Sequence, residues 1–417
     1  MLQRVPVPLR ELLATAVTLG ETAGVRLWLV GGCVRDLLLA RPLSRDLDVA
    51  VEGEVGPLAE ALAAATGGRV VATHAPFGTA TVEVPGAAAG PPTVIDLART
   101  RIEQYPRPAA LPEVTPAPLA ADLARRDFSV NALALELHCV AGALRDGLLH
   151  DPFGGQADLV ARRLRLLHAH SLRDDPTRLL RGLRLATRLG LTPEPATRQQ
   201  IAAALAAGYL ALLTPERSLA EFCLALEEPR PDAVLRRADE WGVTPQLFST
   251  RAWSAGLAAR CDRYAADQHR TLEPLVWAGL LLYDLAAPDL AALAARYPLP
   301  TAAANMMRQV APLQSLAPGL AGLPKSVLDH QLRPFSTPAL AVLHYAEPSA
   351  SAAVALYLHT LRAMRAPLDG HDLRALGVAP GPALGRLLEA LRVATLDGRI
   401  STRAEAEALV REGGCDG

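Results

Sequence analysis

Five short apolar or alternating runs crowd into the first hundred residues: Arg26–Val30, Asp46–Val51, Arg69–Thr73, Thr79–Val84 and Thr93–Ala98. Runs of this length and pattern predict β-strands. Helical stretches at 33–40 and 56–66 fall between them. From about residue 170 the character changes. Ala and Leu dominate, β-branched residues thin out, and Pro and Gly break the sequence into helix-length pieces. No repeat of fixed period runs through this part. The chain is therefore expected to be α+β, a mixed α/β domain within residues 1–150 followed by helices. At 417 residues, half of them hydrophobic, it is long enough for two or three domains with a sizeable core.

Composition excludes several classes. Five cysteines (Cys33, Cys139, Cys223, Cys261 and Cys415) include no CxxC pair, which argues against a disulfide scaffold and a thiolate zinc site. The longest uncharged run, Gln199 to Pro215, is shorter than the ~18–20 apolar residues a membrane span needs. The N-terminus carries charge and proline where a signal peptide needs an apolar stretch, so a cytoplasmic protein without a membrane partner is expected. Net charge is −1, but residues 162–188 hold eight arginines against two acids, a local basic strip. The proline-rich stretch Tyr105–Pro118 predicts a long surface loop rather than a helix or central strand.

The sequence Val-Gly-Gly-Cys-Val-Arg-Asp (30–36), a short spacer, then Asp-Leu-Asp (46–48) points to phosphoryl chemistry. Gly31 and Gly32 allow close approach of a phosphate at a helix start, and Arg35 adds a charged fork. Asp46 and Asp48, two apart on a strand, point to the same face while Leu47 points to the core. Paired carboxylates repel unless cations sit between them, and Mg²⁺ takes few carboxylates together with substrate phosphates. The P-loop and dinucleotide fingerprints are both missing. Asp96, in Val-Ile-Asp-Leu-Ala, is either a third carboxylate near the metals or a strand-end acid.

Residues 30–53 resemble the signature of class II tRNA nucleotidyltransferases and bacterial poly(A) polymerases, in the polymerase β superfamily. The likeness continues through Arg-Arg-Asp-Phe-Ser-Val-Asn-Ala (125–132), Asp-Pro-Phe-Gly-Gly-Gln-Ala-Asp-Leu (151–159), Asp-Asp-Pro-Thr-Arg (174–178) and Gly-His-Asp-Leu-Arg-Ala-Leu-Gly-Val (370–378). It implies a nucleotidyltransferase head over 1–150, a helical neck with the base-reading motif over 151–225, and a helical body and tail over 226–417 that binds tRNA. It also implies two Mg²⁺ ions at Asp46 and Asp48, nucleotide contacts from Gly31, Gly32, Arg35 and Arg126, and transfer from CTP or ATP to the 3′ end of a tRNA acceptor arm. Asp127 is expected to orient Arg126 or touch the ribose, or else to cap a helix starting at Phe128.

Asp175-Pro176 reads as a helix start, and beyond it Arg178, Arg181, Arg184 and Arg188 fall on one helical face. In the family an Asp–Arg pair at Asp175 and Arg178 reads the base without a template. Cytosine and adenine each place an amino donor beside a ring-nitrogen acceptor, matching a carboxylate beside a guanidinium. Asp175 cannot both cap the helix and read a base with the same oxygen. The family's usual glutamate is Asp174 here, a shorter support for Arg178. The segment from Arg101 through Glu103 and Tyr105 to Pro118 corresponds to a specificity loop that versions adding only C have shortened. Its full length, with the Asp-Asp-Pro-Thr-Arg form, resembles the A-adding branch. A poly(A) polymerase of the same family and a non-catalytic RNA-binding relative are the alternative readings. His371-Asp372 belongs to the C-terminal motif rather than to a phosphohydrolase, and His168 and His170 are expected to be solvated or to touch phosphate.

Overall fold

The computed structural model describes residues 1–43, 45–86, 90–248, 254–267 and 273–413. Cys415 lies outside them. The chain divides into two compact units, Met1–Arg251 and Ala252–Gly417.

The first unit is built on α1 (Val7–Thr22), β1 (Arg26–Val30), α2 (Gly32–Leu38), β2 (Asp46–Glu52), α3 (Val55–Thr66), β3 (Arg69–His74), β4 (Thr79–Val84) and β5 (Thr93–Arg99). β6 (Arg101–Gln104), β7 (Glu113–Pro116), α4 (Leu119–Ala124), β8 (Ala134–Val140), β9 (Ala143–His150) and α5 (Gly155–Val160) follow. Seven strands form one sheet in the order β3-β4-β5-β2-β1-β8-β9, with β2 and β5 parallel and the other pairs antiparallel. All five strands expected from the sequence are present within a residue of their predicted ends. Helix α1 and the β8–β9 hairpin were not anticipated.

Alternation sorts the side chains of the central strands. Leu27 and Leu29 of β1, Leu47, Val49 and Val51 of β2, and Ile95 and Leu97 of β5 join Leu13 and Val17 of α1 and Leu62 of α3 in one core. Trp28, Val30 and Ala50 face the other way and pack with Leu119 and Leu123 of α4. A side chain as large as Leu, fully buried, contributes ~1.5–3 kcal/mol, so a one-residue slip of β2 would exchange Leu47 for Asp48 in the core and is strongly disfavoured.

The proline-rich stretch differs from expectation. Arg101–Gln104 and Glu113–Pro116 pair as a separate two-stranded ribbon, and only 105–112 is left as the connection. Pro106, Pro108 and Pro112 all lie in that connection, where no ladder hydrogen bond is lost.

Short helices complete the unit: α6 (Ser171–Asp174), α7 (Thr177–Leu189), α8 (Pro195–Ala206), α9 (Pro215–Leu226), α10 (Pro231–Glu240) and α11 (Thr244–Phe248). Leu179, Leu183 and Ala186 of α7 belong to the same hydrophobic core as the sheet, which extends to Leu247. Gly182 lets α7 approach closely, since a Cβ there would meet the Phe128 ring at 2.8 Å.

The second unit is helical throughout its described residues, from α12 (Ala255–Ala266) through α13 (Pro274–Leu282), α14 (Ala287–Arg296), α15 (Thr301–Leu316), α16 (Lys325–Leu332), α17 (Thr337–Ala346), α18 (Pro348–His359), α19 (Gly370–Ala375) and α20 (Pro382–Leu396) to α21 (Arg403–Gly413). Tyr264 and Trp277 meet edge to face at 4.8 Å in its interior. Buried Asp329 of α16 accepts from Arg392 of α20. The His371-Asp372 pair opens α19: Asp369 and Asp372 form a reciprocal capping box, and Asp372 pairs with Arg403 at 2.9 Å. No helix among the described residues is long and apolar enough to cross a membrane.

Candidate active site

Asp46 and Asp48 stand on the exposed face of β2, with Leu47 fully buried between them. The parallel register sets Asp96 of β5 directly opposite Asp48. Asp96 Oδ1 accepts a 2.5 Å hydrogen bond from Thr81 on β4. Burial, then the Asp96 carboxylate and Asp46, push the Asp48 carboxyl above the usual carboxylate range, against the pull of Arg126 and Arg181. This repulsion is what a divalent cation would relieve. Among the described residues no three His, Cys, Asp or Glu side chains form a ready cage. The oxygen-only donor set still fits Mg²⁺, which completes its shell with water and phosphate oxygens.

Beside the carboxylates, Gly31 turns the chain out of β1 with φ +63°, and a Cβ there would come within 3.1 Å of Arg126 Nη1. The steric need for glycine is therefore set by an arginine as well as by the turn. Arg126 is held by Asp122, which accepts from its Nη2 at 3.0 Å and from Arg125 Nη2 at 2.7 Å. Burial alone would raise Asp122, but Arg126 and Arg125 outweigh it and hold the carboxyl low. Arg126 Nε is buried and has no partner among the described residues.

Two expected roles are revised here. Arg35 does not line the cleft. It is buried, with Nε and Nη2 on Asp36 and Nη1 on the Asn131 amide oxygen at 2.6 Å. Its guanidinium packs against Gly32, where a Cβ would meet Nη2 at 3.4 Å, and its hydrogen bonds go to Asp36 and Asn131. Asp127 does not hold Arg126. Its Oδ1 accepts from Phe128 N at 2.8 Å and from Asn131 Nδ2, and its Oδ2 pairs with Arg181 at 2.9 Å. Arg181, with the Phe128 amide, keeps buried Asp127 ionised and low.

Asp175, Arg178 and Arg181 form the opposite wall. Helix α7 starts at Thr177, two residues beyond the short α6, with Pro176 at its N-cap, so Asp175, expected as the N-cap, stands one residue earlier. Asp175 Oδ1 accepts from Thr177 N at 3.1 Å, Thr177 Oγ1 at 2.6 Å and Arg217 Nη2 at 2.8 Å. All three use one oxygen: Oδ1 holds the turn that leads into α7, and these bonds leave Oδ2 unused. Arg178 is buried, with Nη1 on Ser171 Oγ at 2.7 Å and Nη2 on the Arg125 carbonyl at 2.8 Å. His168 Nε2 lies 3.1 Å from Arg178 Nη1, so His168 supports the arginine rather than solvating the helix. No hydrogen bond joins Asp174 to Arg178.

Two arginines of the expected basic strip, Arg184 and Arg188, are neutralised from α9 and the turn after it. Arg184 pairs with Glu221 at 2.8 Å and with Glu228 at 3.2 Å, and Arg188 also pairs with Glu228. These two arginines tie helices together and do not form an open cationic surface for a polyanion.

The ribbon closes the third side. Glu103 is its hub: Oε1 accepts from Arg101 Nη2 at 3.0 Å and Arg125 Nη1 at 2.6 Å, and Oε2 accepts from Tyr105 at 2.9 Å. Burial and Glu103 push the Tyr105 hydroxyl up, so it stays a neutral donor.

These walls enclose a cleft of about 480 Å³ lined by Gly31, Gly32, Asp48, Asp96, Arg101, Glu103, Tyr105, Arg126, Asp127, Asp175, Arg178 and Arg181, a size in the range of small-molecule sites. Asp122, Asn131, Ser171, Thr81 and Arg217 were not singled out from the sequence. Asp122 carries a usable signal, since it precedes Arg125 and Arg126 by three and four residues on a helix. Arg217 carries none, being 42 residues from Asp175.

A carboxylate-bearing mixed sheet facing arginines across a nucleotide-sized cleft defines a nucleotidyltransferase head. Residues 27–165 match the family described as the Poly A polymerase head domain. The chain is 38% identical over 386 residues to the CC-adding tRNA nucleotidyltransferase of Deinococcus radiodurans, covering 92% of this chain and 88% of that protein. It is 31% identical over 403 residues to the A-adding tRNA nucleotidyltransferase of Halalkalibacterium halodurans, covering 94% and 91%. A solved complex of a CCA-adding enzyme with ATP superposes with a TM-score of 0.76 at 25% identity, covering 99% of this chain and 97% of that one. The chain belongs to the tRNA nucleotidyltransferase family.

Proposed function

We propose that this protein adds C or A, from CTP or ATP, to the 3′ end of tRNA without a nucleic-acid template and releases pyrophosphate. The observation that carries the reading is a single cleft with Asp48, Asp96 and Arg126 on one side and Asp175 and Arg178 on the other. Two Mg²⁺ ions held by Asp46 and Asp48, with Asp96 adjoining, would activate the 3′-hydroxyl and neutralise charge on the departing pyrophosphate. Arg126, which lines the cleft, and the Gly31–Gly32 turn bind the triphosphate side of the nucleotide. Asp127 orients Arg181 toward the same nucleotide. Asp175 Oδ2 accepts the exocyclic amino group and Arg178 donates to the ring nitrogen, so uracil and guanine, which present carbonyls to the carboxylate, are rejected. Residues 151–225 would act as the base-reading neck. Residues 226–417 would hold the acceptor arm by backbone phosphates and shape, with salt-sensitive affinity.

The complete 101–118 segment supports addition of A, whereas the Deinococcus relative supports addition of C. An extension assay decides between them, with tRNA ending at the discriminator base, after C or after CC, and CTP or ATP alone and together. One A added only to the CC-ended tRNA identifies an A-adding enzyme. A stop at CC identifies a CC-adding one, and full repair a CCA-adding one. Long A tails on unrelated RNA would replace the reading with a poly(A) polymerase, and no incorporation would leave an RNA-binding relative.

A further inference from the structure

Arg217 lies outside every motif that carried the site, yet its guanidinium touches two of the site's three walls. It stands in the first turn of α9, whose start is capped by Thr214 Oγ1 accepting from Arg217 N at 3.4 Å. Its Nη2 donates to Asp175 Oδ1 at 2.8 Å, and its Nη1 donates to the carbonyl of Ala109 at 2.8 Å. Ala109 is at the far end of the ribbon's connection and is 9% exposed. Its amide donates in turn to the Arg173 carbonyl at 3.1 Å, and its φ of +60° is a conformation that a residue with a Cβ rarely adopts. The connection is thus fixed at both polar atoms of Ala109, its amide to α6 and its carbonyl to Arg217 of α9.

We infer that Arg217 is a positioning residue for base selection, clamping Asp175 and the ribbon connection in one geometry. The planar fork suits this task. Two nitrogens of one rigid group serve two acceptors at a fixed separation, so displacement of the connection is transmitted to the Asp175 carboxylate. Arg217 occupies Oδ1 and leaves Oδ2 to the incoming base. Without Arg217, Thr177 alone holds the carboxylate, which can rotate and offer either oxygen. The inference rests on the proposed base-reading role of Asp175, and it adds a residue that sets the fidelity of that role.

The test compares Arg217→Met, Arg217→Lys, Asp175→Asn and the Arg217→Met/Asp175→Asn double variant in the purified full-length protein. The readout is kcat/KM for CTP and ATP against UTP and GTP, with thermal midpoints measured alongside. Arg217→Met is expected to lower cognate-over-noncognate discrimination by about tenfold or more, the scale of one lost polar base contact. Arg217→Lys, which reaches Asp175 but cannot fork to Ala109, should fall between Arg217→Met and the unmodified protein. In the Asp175→Asn background, Arg217→Met should cost much less additional discrimination. An equal loss for all four nucleotides, tracking a lower midpoint, would overturn the inference and leave Arg217 a structural tie. Additive losses in the cycle would also overturn it. Failure of the unmodified protein to extend any tRNA would instead remove the functional reading on which the inference rests.

Discussion

The carboxylate face of the sheet and the arginine face of α7 line the same cleft but are built on opposite principles. On the cleft face of β2 and β5, Asp48 stands opposite Asp96, and burial together with that repulsion raises Asp48 despite the pull of Arg126 and Arg181. On α7 nearly every charge is matched: Arg181 by Asp127, Arg184 by Glu221, and Arg184 and Arg188 by Glu228. One wall stores a demand for cations, and the other spends its charge on rigidity. Substitutions on the first wall should therefore destroy chemistry while sparing the fold, and those on the second should loosen the fold first.

The largest expected effect tests the first half of that contrast. Asp48→Asn should lower kcat by roughly a thousandfold or more, about 4 kcal/mol of barrier at ~1.4 kcal/mol per decade, while circular dichroism and solubility stay those of the unmodified protein. Retention of full incorporation would show that the sheet face is not where transfer occurs.

Next comes a residue that supports both walls. Asp122 is 2% exposed and anchors Arg125 and Arg126. Asp122→Ala removes the acid partner of Arg126 and leaves Arg125 with Glu103 alone, and breaking such a partly buried pair costs ~3 kcal/mol. Denaturant unfolding should show this loss, with KM for the nucleotide rising because Arg126 is released. A stability loss with unchanged KM would confine Asp122 to a structural role.

Arg184→Met probes the second wall alone. Glu228, nearly buried, keeps Arg188 as a partner, so the expected cost is about 1–2 kcal/mol in unfolding. The salt dependence of tRNA binding should not change, because Arg184 is not available to phosphate. A drop of about one in the log–log salt slope would restore the view of α7 as an RNA-facing strip.

The same contrast explains what could be read from the sequence. Strand periodicity is two, so Asp46, Leu47, Asp48 and Ile95, Asp96, Leu97 assign themselves to faces with no knowledge of their neighbours. The face of α7 was legible too, but its electrostatic meaning was not, since Glu221 and Glu228 come from residues some forty positions later. Arg35 misled for a related reason: its partner Asn131 lies 96 residues away. The β8–β9 hairpin was missed because its turn is Ala141-Gly142, both at positive φ, in place of the Asn-Gly or Asp-Gly that signals such turns. Asp175 shows the converse, a conflict visible in the sequence that needed coordinates to place Oδ1 on the turn before α7.

The smallest effect concerns the opposed pH responses of the two walls. Asp122 and Asp127 are held low in the folded protein, so they contribute stability above the ordinary carboxylate pKa near ~4, and that stability is lost as pH falls through their folded values. Asp48 is held high, so its contribution is full below the ordinary value and is lost as pH rises through the folded one. With chelator present at neutral pH, ionised Asp48 therefore destabilises the fold. The penalty is modest, because water reaching the open side of the cleft screens the repulsion. Asp48→Asn should accordingly unfold at slightly higher denaturant than the unmodified protein in chelator at pH 7, and the difference should vanish near pH 4. Added Mg²⁺ should stabilise the unmodified protein and leave the variant nearly unchanged. A variant less stable than the unmodified protein under chelator would mean that Asp48 is held by favourable contacts and that the sheet face carries no stored repulsion for a cation to relieve.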